Sequence, residues 1–374
     1  MKITTIATHY VRIPFDMGAP KQEFAGLRFP TMDHLLIQVE TDAGITGWGE
    51  AFGHSIIPAT KAALETYVGP WFIGKDPTDI NALHRQAAQA FHIFGRNGPV
   101  VYAHSGIDIA LWDIAGKRAG LPLSDLLGGA RRRHVRAYAS LMRYATPNTV
   151  ARIAGEMVAR GFRHIKLHEH TVDAVKAARE AIGADVALMN DVNCPWSVAQ
   201  ALEMERALRP SRLHWLEEPV WPPEDYAGLA RVRAALRIPI ASGENDATVF
   251  GFRDLIAHGA ADVVQPSVTK VGGLLEMKKI AILAAAANVT LVPHAFYYGP
   301  GLAASLHLAA ATPGVPYVEF PGTPLVASLI AEPLRAAGGT VSVPDRPGLG
   351  ADPDPSLLTR YPYQAAAARP FYLT

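Results

Sequence analysis

Three acidic residues recur along this chain at nearly equal spacing, each at the end of a short apolar run. They are Asp191, Glu217 and Glu244, and the intervals between them are 26 and 27 residues. Such an interval is about the length of one β-strand and one returning helix with their loops. Because consecutive parallel strands end at the same edge of a sheet, we expect the three carboxylates to meet at one mouth.

Three carboxylates brought together repel one another unless a cation lies among them. Carboxylate oxygens are hard ligands, and a site that leaves coordination positions open suits Mg²⁺. The spacing therefore predicts that Asp191, Glu217 and Glu244 are metal ligands. The alternative interpretation is that they form ordinary ion pairs at the surface.

The same interval continues on both sides of the three acids. Further strand-like runs end at or near Ser140, His168, Ser267, His294 and Glu319. Helix-like stretches lie between the runs, for example 149–160, 172–181 and 273–287. Eight strand ends, most of them polar, predict a modified TIM (β/α) barrel whose active site lies at its C-terminal face. A doubly wound open sheet is the alternative, but it does not explain ligand-type residues at three successive strand ends.

Composition limits the class of function. The chain has 374 residues and a formal net charge of +1, and its longest basic run is 131–133, which argues against a dedicated nucleic-acid surface. The single Cys194 excludes an intrachain disulfide and a cysteine-only zinc site. We find no signal-type apolar segment and no apolar helix long enough to span a bilayer. We therefore expect a cytoplasmic enzyme with no membrane partner.

Two regions of the chain do not follow the barrel interval. Residues 1–125 combine alternating strand patterns, a hairpin turn at 41–44 and a helical pattern over 105–119, which predict a separate N-terminal domain of strands and helices. The barrel is assigned to 126–320. Residues 321–374 are rich in Pro and Gly, and we expect this C-terminal segment to pack back on the N-terminal domain.

Several short motifs then occur together in one order along the chain. They are 47–51, 106–113, Lys166, 191–193, 217–219, 243–245, 293–294 and 344–350. With them the chain resembles the enolase superfamily, in its mandelate racemase / muconate-lactonizing branch of acid-sugar dehydratase type, over nearly its whole length. The resemblance implies that residues 1–125 and the C-terminal segment form an α+β capping domain over a modified TIM barrel. It also implies an essential Mg²⁺ and abstraction of a proton next to a carboxylate. That step makes a dianionic enediolate, which a divalent cation and nearby cationic donors stabilise.

Lys166 and His168 lie two residues apart on one predicted strand, so both side chains point into the barrel mouth. Many relatives carry a second lysine where this chain has His168. An imidazole is an effective general base near neutral pH, so we predict that His168 removes the proton. Lys166 would then neutralise the enediolate or assist the base. The alternative for His168 is a hydrogen-bond donor to the substrate.

His294 matches the histidine that ends the seventh strand in mandelate-racemase-like enzymes. In those enzymes it pairs with an aspartate at the sixth strand end, where this chain has Ser267. Without a carboxylate partner His294 is less basic and less firmly oriented. We therefore predict an acid role for His294, protonating a departing hydroxide, rather than the role of second base in a racemase.

Five further residues are predicted to contact the substrate. Asn193 shares the strand face of Asp191, and two roles stay open for it, contact with the metal and contact with the substrate. Glu319 ends the eighth strand, where relatives often carry a carboxylate that contacts the substrate. Tyr297 follows His294 in a loop that contains glycines. His54 and Arg28 lie where the specificity loops of the capping domain are expected.

The leading hypothesis is a lyase, a Mg²⁺-dependent dehydratase that converts a sugar acid to a 2-keto-3-deoxy acid. A racemase, epimerase or cycloisomerase acting through the same enediolate is the first alternative. A non-catalytic binding protein on the same fold is the second. The predicted partner is a small carboxylate substrate, and the resemblance implies a homo-oligomer, either a dimer or an octamer.

Overall fold

The computed structural model describes residues 1–19 and 30–364 in full. Between these ranges it describes the backbone of two short paired strands. The strands are β1 (Ile3–Pro14), β2 (Glu23–Phe24), β3 (Leu27–Arg28), β4 (Thr31–Thr41), β5 (Thr46–Ala51), β6 (His134–Ser140), β7 (His164–Leu167), β8 (Ala187–Asp191), β9 (Trp215–Glu217), β10 (Ile240–Ser242), β11 (Val263–Val264), β12 (Thr290–Leu291), β13 (Val318–Pro321), β14 (Ala336–Ala337) and β15 (Thr340–Ser342). The helices are α1 (Ile57–Ala63), α2 (Gly69–Phe72), α3 (Ile80–Ala90), α4 (Pro99–Ala119), α5 (Leu123–Leu126), α6 (Pro147–Ala159), α7 (Val172–Ile182), α8 (Val198–Leu208), α9 (Tyr226–Ala235), α10 (Thr248–Ala257), α11 (Leu274–Ala286), α12 (Pro300–Ala311) and α13 (Pro355–Arg360).

The N-terminal part of the chain forms an antiparallel sheet in the order β1-β4-β5, covered by α1 to α4. Strand β5 lies directly against α4, and two glycines make this approach feasible. A Cβ atom on Gly49 would lie 1.9 Å from the carbonyl oxygen of Gly106. The contact explains why the two sequence motifs that meet here, 47–51 and 106–113, carry glycine at Gly49 and Gly106.

The middle of the chain forms the predicted barrel. Its eight parallel strands are hydrogen-bonded in the order β13-β6-β7-β8-β9-β10-β11-β12. Along the chain, strands β6 to β12 are each followed by one helix, α6 to α12 in turn, and β13 is the eighth strand. After the eighth strand the described chain continues into the hairpin β14–β15 instead of a helix, and β15 pairs antiparallel with β6. The prediction of a modified TIM barrel with an α+β cap is confirmed, with this difference at the eighth unit.

Local sequence signals account for several helix ends. Ser197 and Gln200 form a capping box at the start of α8, and the side chain of Thr171 accepts a hydrogen bond from the backbone of Ala174 in α7. Gly120 ends the long helix α4 in the left-handed conformation (φ 67°) that favours glycine. The barrel helices α6 to α12, each of 10 to 13 residues, return the chain to the same end of the sheet after each strand.

The barrel has two apolar layers. Inside it, the side chains of Tyr138, Met189, Trp215, Ala241, Val263 and Val292 pack together below the mouth. Between strands and helices, a larger core surrounds the barrel. Because the interior is filled, the polar strand ends at the mouth rest on a packed floor.

Two buried carboxylates of the cap region hold it to the barrel. Glu50 on β5 accepts a hydrogen bond from the backbone nitrogen of Gly301 at the start of α12 (2.9 Å) and contacts Nδ1 of His34 (3.0 Å). Asp108 on α4 accepts hydrogen bonds from the backbone nitrogens of Leu274 and Leu275 at the start of α11. The cap region therefore supplies hydrogen-bond acceptors for backbone nitrogens in the first turns of α11 and α12.

The C-terminal part of the chain contacts β1. Tyr363 donates its backbone nitrogen to Tyr10, and Leu357 of α13 packs with Val11 and Ile13. The division of the chain at residues 125 and 320 stays a prediction. Within the described residues, no helix combines the length and apolar character needed to cross a membrane.

Candidate active site

The three carboxylates that recur along the sequence meet at the mouth of the barrel. Asp191 ends β8, Glu217 ends β9, and Glu244 lies two residues beyond the end of β10. One carboxylate oxygen from each lies within 4.8 Å of the others. Asp191 and Glu217 are fully buried, whereas the Glu244 side chain is partly open to the mouth. This donor set could hold one divalent cation and leave positions open for a substrate.

The charges around this triad favour the ionised form of two of its members, Asp191 and Glu244. Burial opposes the charge of Asp191, but Lys166 and His168 outweigh burial and lower its pKa to about 2. Burial likewise opposes the charge of Glu244, yet His294 and Lys270 hold its pKa well below the ordinary value. Ionised carboxylates are the form in which these residues bind a cation, so the donor set fits Mg²⁺.

Lys166 of β7 lies among the acidic groups. Its Nζ is 2.7 Å from Glu217 Oε1, 3.0 Å from Glu319 Oε1 and 3.4 Å from Asp191 Oδ2. Burial disfavours the charge, but Glu217 and Glu319 raise the pKa of Lys166 well above its ordinary value. The side chain therefore carries a fixed positive charge in the mouth.

His168 follows β7 on the same face as Lys166. Its Nδ1 lies within hydrogen-bond distance of the carbonyl oxygen of Leu141, and because a carbonyl only accepts, Nδ1 carries the proton. Its Nε2 is directed to the triad, 3.3 Å from Asp191 Oδ2. The imidazole is thus held in the tautomer whose Nε2 can accept a proton.

His294 lies at the other end of the triad, with Nε2 3.0 Å from Glu244 Oε2. Its buried Nδ1 has no hydrogen-bond partner among the described residues. Ser267 is its neighbour across the strands, but the Ser267 hydroxyl is bonded to the hydroxyl of Tyr297, which also accepts from Thr269 (2.7 Å). Ser267, which occupies the position of the aspartate in mandelate-racemase-like enzymes, is therefore bonded to Tyr297 and not to His294 Nδ1.

Glu319 at the second residue of β13 is fully buried and supports two neighbours. Its Oε2 accepts a hydrogen bond from the backbone nitrogen of Ala295 (2.8 Å), and its Oε1 faces Lys166. Burial opposes its charge, but Lys166 and His294 lower the pKa of Glu319. The carboxylate therefore holds Lys166 and the backbone that follows His294.

Asn193 is joined to a residue that the sequence did not single out. Arg143, three residues after β6, donates from Nη2 to Asn193 Oδ1 (3.0 Å) and from Nε to the carbonyl oxygen of His168 (2.6 Å). The backbone nitrogen of Asn193 also donates to Asp191 Oδ1 (2.9 Å). Arg143 lies beyond a strand end, like the predicted site residues, and this position was the signal that could have found it.

Two further residues orient Glu217. The indole nitrogen of Trp215 and the amide nitrogen of Gln265 each donate to Glu217 Oε2 at 2.9 Å. Trp215 shares the strand face of Glu217, two residues away, so the spacing of two was the available signal. The other carboxylate oxygen of Glu217 is the one that faces Lys166.

A second group of polar residues lies beside Glu244. The amide of Asn245 donates to both oxygens of the buried Glu218 (2.9 and 3.0 Å), and Lys270 donates to Asn245 Oδ1 (3.1 Å). The Lys270 ammonium also lies 4.6 Å from the centre of the Phe52 ring. Lys270 lies in the turn that follows Ser267 and is only 4 % exposed, so it is a buried member of this cluster.

His54 and Arg28 are the two cap residues that the sequence predicts to contact the substrate, and the structure describes the side chain of His54 alone. His54 begins a 3₁₀ turn over His54–Ile56, and its ring contacts Phe52 edge to face. Burial, followed by the charges of His294 and His34, lowers the pKa of His54 to about 4, so this residue belongs to the surroundings of the mouth. Arg28 lies in β3, and its side chain is outside the described residues.

Two family models match the chain. The model for the mandelate racemase / muconate lactonizing enzyme N-terminal domain matches residues 20–128, and the enolase C-terminal domain-like model matches residues 149–357. Among curated relatives, the D-galactarolactone cycloisomerase of Agrobacterium fabrum is 37% identical, covering 96% of this chain and 99% of that protein. The arabinonate dehydratase of Saccharolobus solfataricus is 34% identical, covering 87% and 89%.

Solved structures agree with these matches over the whole chain. The 3,6-anhydro-D-galactonate cycloisomerase from Zobellia galactanivorans has a TM-score of 0.86 and 31% identity, covering 97% of this chain and 100% of that one. A racemase from Streptomyces coelicolor with bound magnesium has a TM-score of 0.86 and 31% identity, covering 96% and 100%. The resemblance inferred from the motifs is confirmed. The chain therefore belongs to the mandelate racemase / muconate lactonizing enzyme branch of the enolase superfamily.

Proposed function

We propose that the protein removes the proton α to the carboxylate of a sugar acid and then expels the β-hydroxyl as water. The resulting enol becomes a 2-keto-3-deoxy acid. One observation carries this proposal: His168 and His294 contact the two ends of the carboxylate triad, with Lys166 between them. A base, an acid and a fixed positive charge are therefore available at one mouth. Sugar-acid dehydratases among the relatives, such as the arabinonate dehydratase, support the same reaction class.

Asp191, Glu217 and Glu244 would hold Mg²⁺ in this proposal. When bound, the ion supplies stabilisation of the negative charge that develops on the substrate carboxylate. Trp215 and Gln265 would keep Glu217 in its orientation through their hydrogen bonds to one carboxylate oxygen.

His168 is the proposed base, and Lys166 is the proposed stabiliser of the enediolate. The hydrogen bond from Nδ1 to Leu141 leaves the Nε2 lone pair of His168 to accept the α-proton. Lys166 remains charged because the surrounding carboxylates raise its pKa, so it is poorly suited to accept a proton. Its charge instead offsets the second negative charge of the enediolate.

His294 is the proposed acid for the second half of the reaction. Its Nε2 faces Glu244 at the end of the triad opposite to His168, where it could protonate the departing oxygen. Asn193, Arg143 and His54 border the mouth and are proposed to contact the hydroxyl groups of the substrate. The hydroxyl of Tyr297 is engaged by Ser267 and Thr269, so we propose that Tyr297 supports His294 and does not bind the substrate directly.

Cycloisomerisation is the second candidate, and the 37% identity to the D-galactarolactone cycloisomerase favours it specifically. The two reactions share their first step. If the β-oxygen belongs to a lactone ring, its loss opens the ring and no water leaves. The product is then an isomer of the substrate, whereas dehydration lowers the mass by one water.

A panel of sugar acids and their lactones, incubated with Mg²⁺-loaded protein, tests this proposal by mass spectrometry and detection of 2-keto products. Loss of one water identifies a dehydratase, and a 2-keto isomer formed from a lactone identifies a cycloisomerase. Deuterium entering the α-carbon from D₂O without either product would instead indicate an epimerase or racemase. Tight Mg²⁺ binding with no α-proton exchange on any acid would contradict the enzymatic proposal.

The metal ligands can be tested separately by calorimetry. We expect Asp191→Asn to weaken Mg²⁺ binding at least about 10-fold, because even residues that only support metal ligands contribute that much. Glu203→Gln on the exposed face of α8 is the matched control, and it should leave the affinity unchanged. Equal Mg²⁺ affinity in Asp191→Asn and in the unmodified protein would remove Asp191 from the proposed site. Light scattering tests the homo-oligomer, which stays a prediction.

A further inference from the structure

A second cavity lies away from the carboxylate triad, between the cap and the barrel. Its volume is about 700 Å³, and its walls come from α3, the 91–101 segment, α4 and the first turns of α10 and α11. Much of the lining is apolar, including Phe91, Val101, Phe250 and Leu275. A cavity of this volume is within the range that accommodates small organic ligands.

His104 of α4 is a buried polar residue in this lining. It is 6 % exposed, and its ring makes no hydrogen bond to another described residue. Its ring stacks on His84 at 4.7 Å between centroids. Burial, followed by the charge of His84, holds the pKa of His104 well below its ordinary value. The imidazole is therefore neutral, and it offers one donor and one acceptor that the fold leaves unused.

The charges of the lining are predominantly positive. Arg85, Arg96 and Lys279 are exposed residues of the cavity lining, and Glu276 is the acidic residue among the described lining residues. The Glu276 carboxylate is already engaged by His84 (3.0 Å), by Lys279 and by the backbone nitrogen of Val249 (2.7 Å). Lys279 is paired with Glu276, so Arg85 and Arg96 are the cations that have no acidic partner among the described lining residues. Positive charge beside an apolar cavity favours an anion with an apolar body.

We propose that this cavity is a binding site for a small aromatic or branched aliphatic carboxylate. The apolar body would lie against Phe91 and Leu275, His104 would hydrogen-bond the ligand, and Arg85 and Arg96 would face its carboxylate. The evidence for this binding site does not rest on the proposed catalytic function.

The cavity is connected to the triad through a short segment of chain. Thr248 and Val249 line the cavity at the start of α10, four and five residues after Glu244. On the cap side, Asn97 donates its side-chain amide to the carbonyl oxygen of Asn245 (3.0 Å). A ligand between the 91–101 segment and α10 therefore contacts both sides of the segment that carries Glu244. Occupation of the cavity is expected to change the Mg²⁺ affinity of the triad, and by linkage Mg²⁺ changes the ligand affinity by the same factor.

Fluorine NMR with 4-fluorophenylacetate, recorded on the Mg²⁺-free full chain, tests the site directly. We expect saturable binding at one site per chain, and at least about 10-fold weaker binding of 4-fluorobenzyl alcohol, which lacks the carboxylate. His104→Phe keeps an aromatic ring but removes both nitrogens, and Arg96→Gln removes one cation. Each should weaken binding about 10-fold or more, whereas Arg118→Gln, an exposed arginine outside the cavity, should not.

Four results would overturn the proposal. The first three are no saturable binding, equal weakening by Arg118→Gln and Arg96→Gln, and unchanged binding in both His104→Phe and the cavity-filling Ala88→Phe. The fourth is a change of oligomeric state in Ala88→Phe with unchanged ligand binding, since a second copy would then occupy the cavity. The Mg²⁺ affinity, measured by calorimetry with and without saturating 4-fluorophenylacetate, tests the connection, and equal values would overturn that part. Thermal unfolding of each variant checks that it is folded.

Discussion

Ser267 and Tyr297 are joined through their hydroxyl groups, although Ser267 lies directly across from His294 in the barrel. The bond leaves Nδ1 of His294 buried and without a hydrogen-bond partner among the described residues. His294 therefore contacts the triad through Nε2, which lies 3.0 Å from Glu244 Oε2, and no carboxylate of the described residues orients it through Nδ1. This arrangement suits a residue that gives up a proton once, and it is less suited to one that must take a proton from carbon.

Replacing Ser267 by aspartate tests this interpretation. The new carboxylate would accept a hydrogen bond from Nδ1 of His294 and favour the imidazolium. If His294 is the acid, the alkaline limb of the kcat/KM profile should move to higher pH by about one unit or more. Ser267→Ala is the control, because it removes the hydroxyl without adding charge. An alkaline limb that stays in place in a folded Ser267→Asp variant would argue against His294 as the acid.

His168→Gln should lower the rate of α-proton exchange by about 10²- to 10⁴-fold, because glutamine cannot accept the proton. His164→Gln is a matched control on the same strand, at the end remote from the mouth. Proton NMR of the substrate in D₂O measures the exchange, and calorimetry verifies that both variants bind Mg²⁺. Exchange at the unmodified rate in His168→Gln would transfer the role of base to another residue.

The buried pair of His84 and Glu276 predicts a pH dependence of stability. Burial opposes the charge of Glu276, but hydrogen bonds from His84 and Lys279 lower its pKa to about 2. Its stabilisation is therefore complete above the ordinary value of 4.5 and is lost as the pH falls towards 2. For His84, burial opposes the charge but Asp108 and Glu276 raise the pKa, so its stabilisation is complete below 6.5 and is lost as the pH rises through the raised value.

Urea unfolding of the unmodified protein and of Glu276→Gln between pH 3 and pH 8 measures this effect. The difference in the free energy of unfolding should be largest between about pH 4.5 and 6.5, on the order of 3 kcal/mol, and should shrink on both sides. Glu203→Gln should give a small difference that does not vary with pH. A pH-independent difference for Glu276→Gln would show that the carboxylate acts through packing alone.

Gly49→Ala should destabilise the protein by about 1–3 kcal/mol, because the added methyl group would overlap the carbonyl of Gly106. Gly155→Ala provides the opposite expectation within the same chain. Gly155 lies inside α6 with open space where its Cβ would be, so alanine there should stabilise the helix by about 0.5–1 kcal/mol. Thermal or urea unfolding checks both variants, and destabilisation by both would indicate that close contact is not the cause.

The periodicity of the sequence was sufficient to predict the barrel, because polar residues at the strand ends recur at a regular interval. Asp191, Glu217, Lys166 and His168 could be grouped for the same reason, since residues at equivalent strand ends share one mouth. Arg143 could not be ranked in this way, because its role depends on reaching the carbonyl of His168 and the side chain of Asn193 across two loops. The bond between Ser267 and Tyr297 depends on how the loop after His294 folds back, and strand spacing contains no information about that. The replacement of the eighth helix by a hairpin was also outside the reach of the pattern, because it lies where the interval ends.

Glu50 of the cap accepts a hydrogen bond from the backbone nitrogen of Gly301 in the first turn of α12. Its other carboxylate oxygen contacts His34. Protein engineers who exchange capping domains between relatives, to transfer substrate preference, would separate this carboxylate from the helix it completes. A chimera of this protein should therefore carry His34, Glu50 and the 294–301 segment from one parent. Chimeras joined without regard to that unit would leave either a buried acid or a helix start unsatisfied, and they would be expected to express poorly whatever substrate their loops recognise.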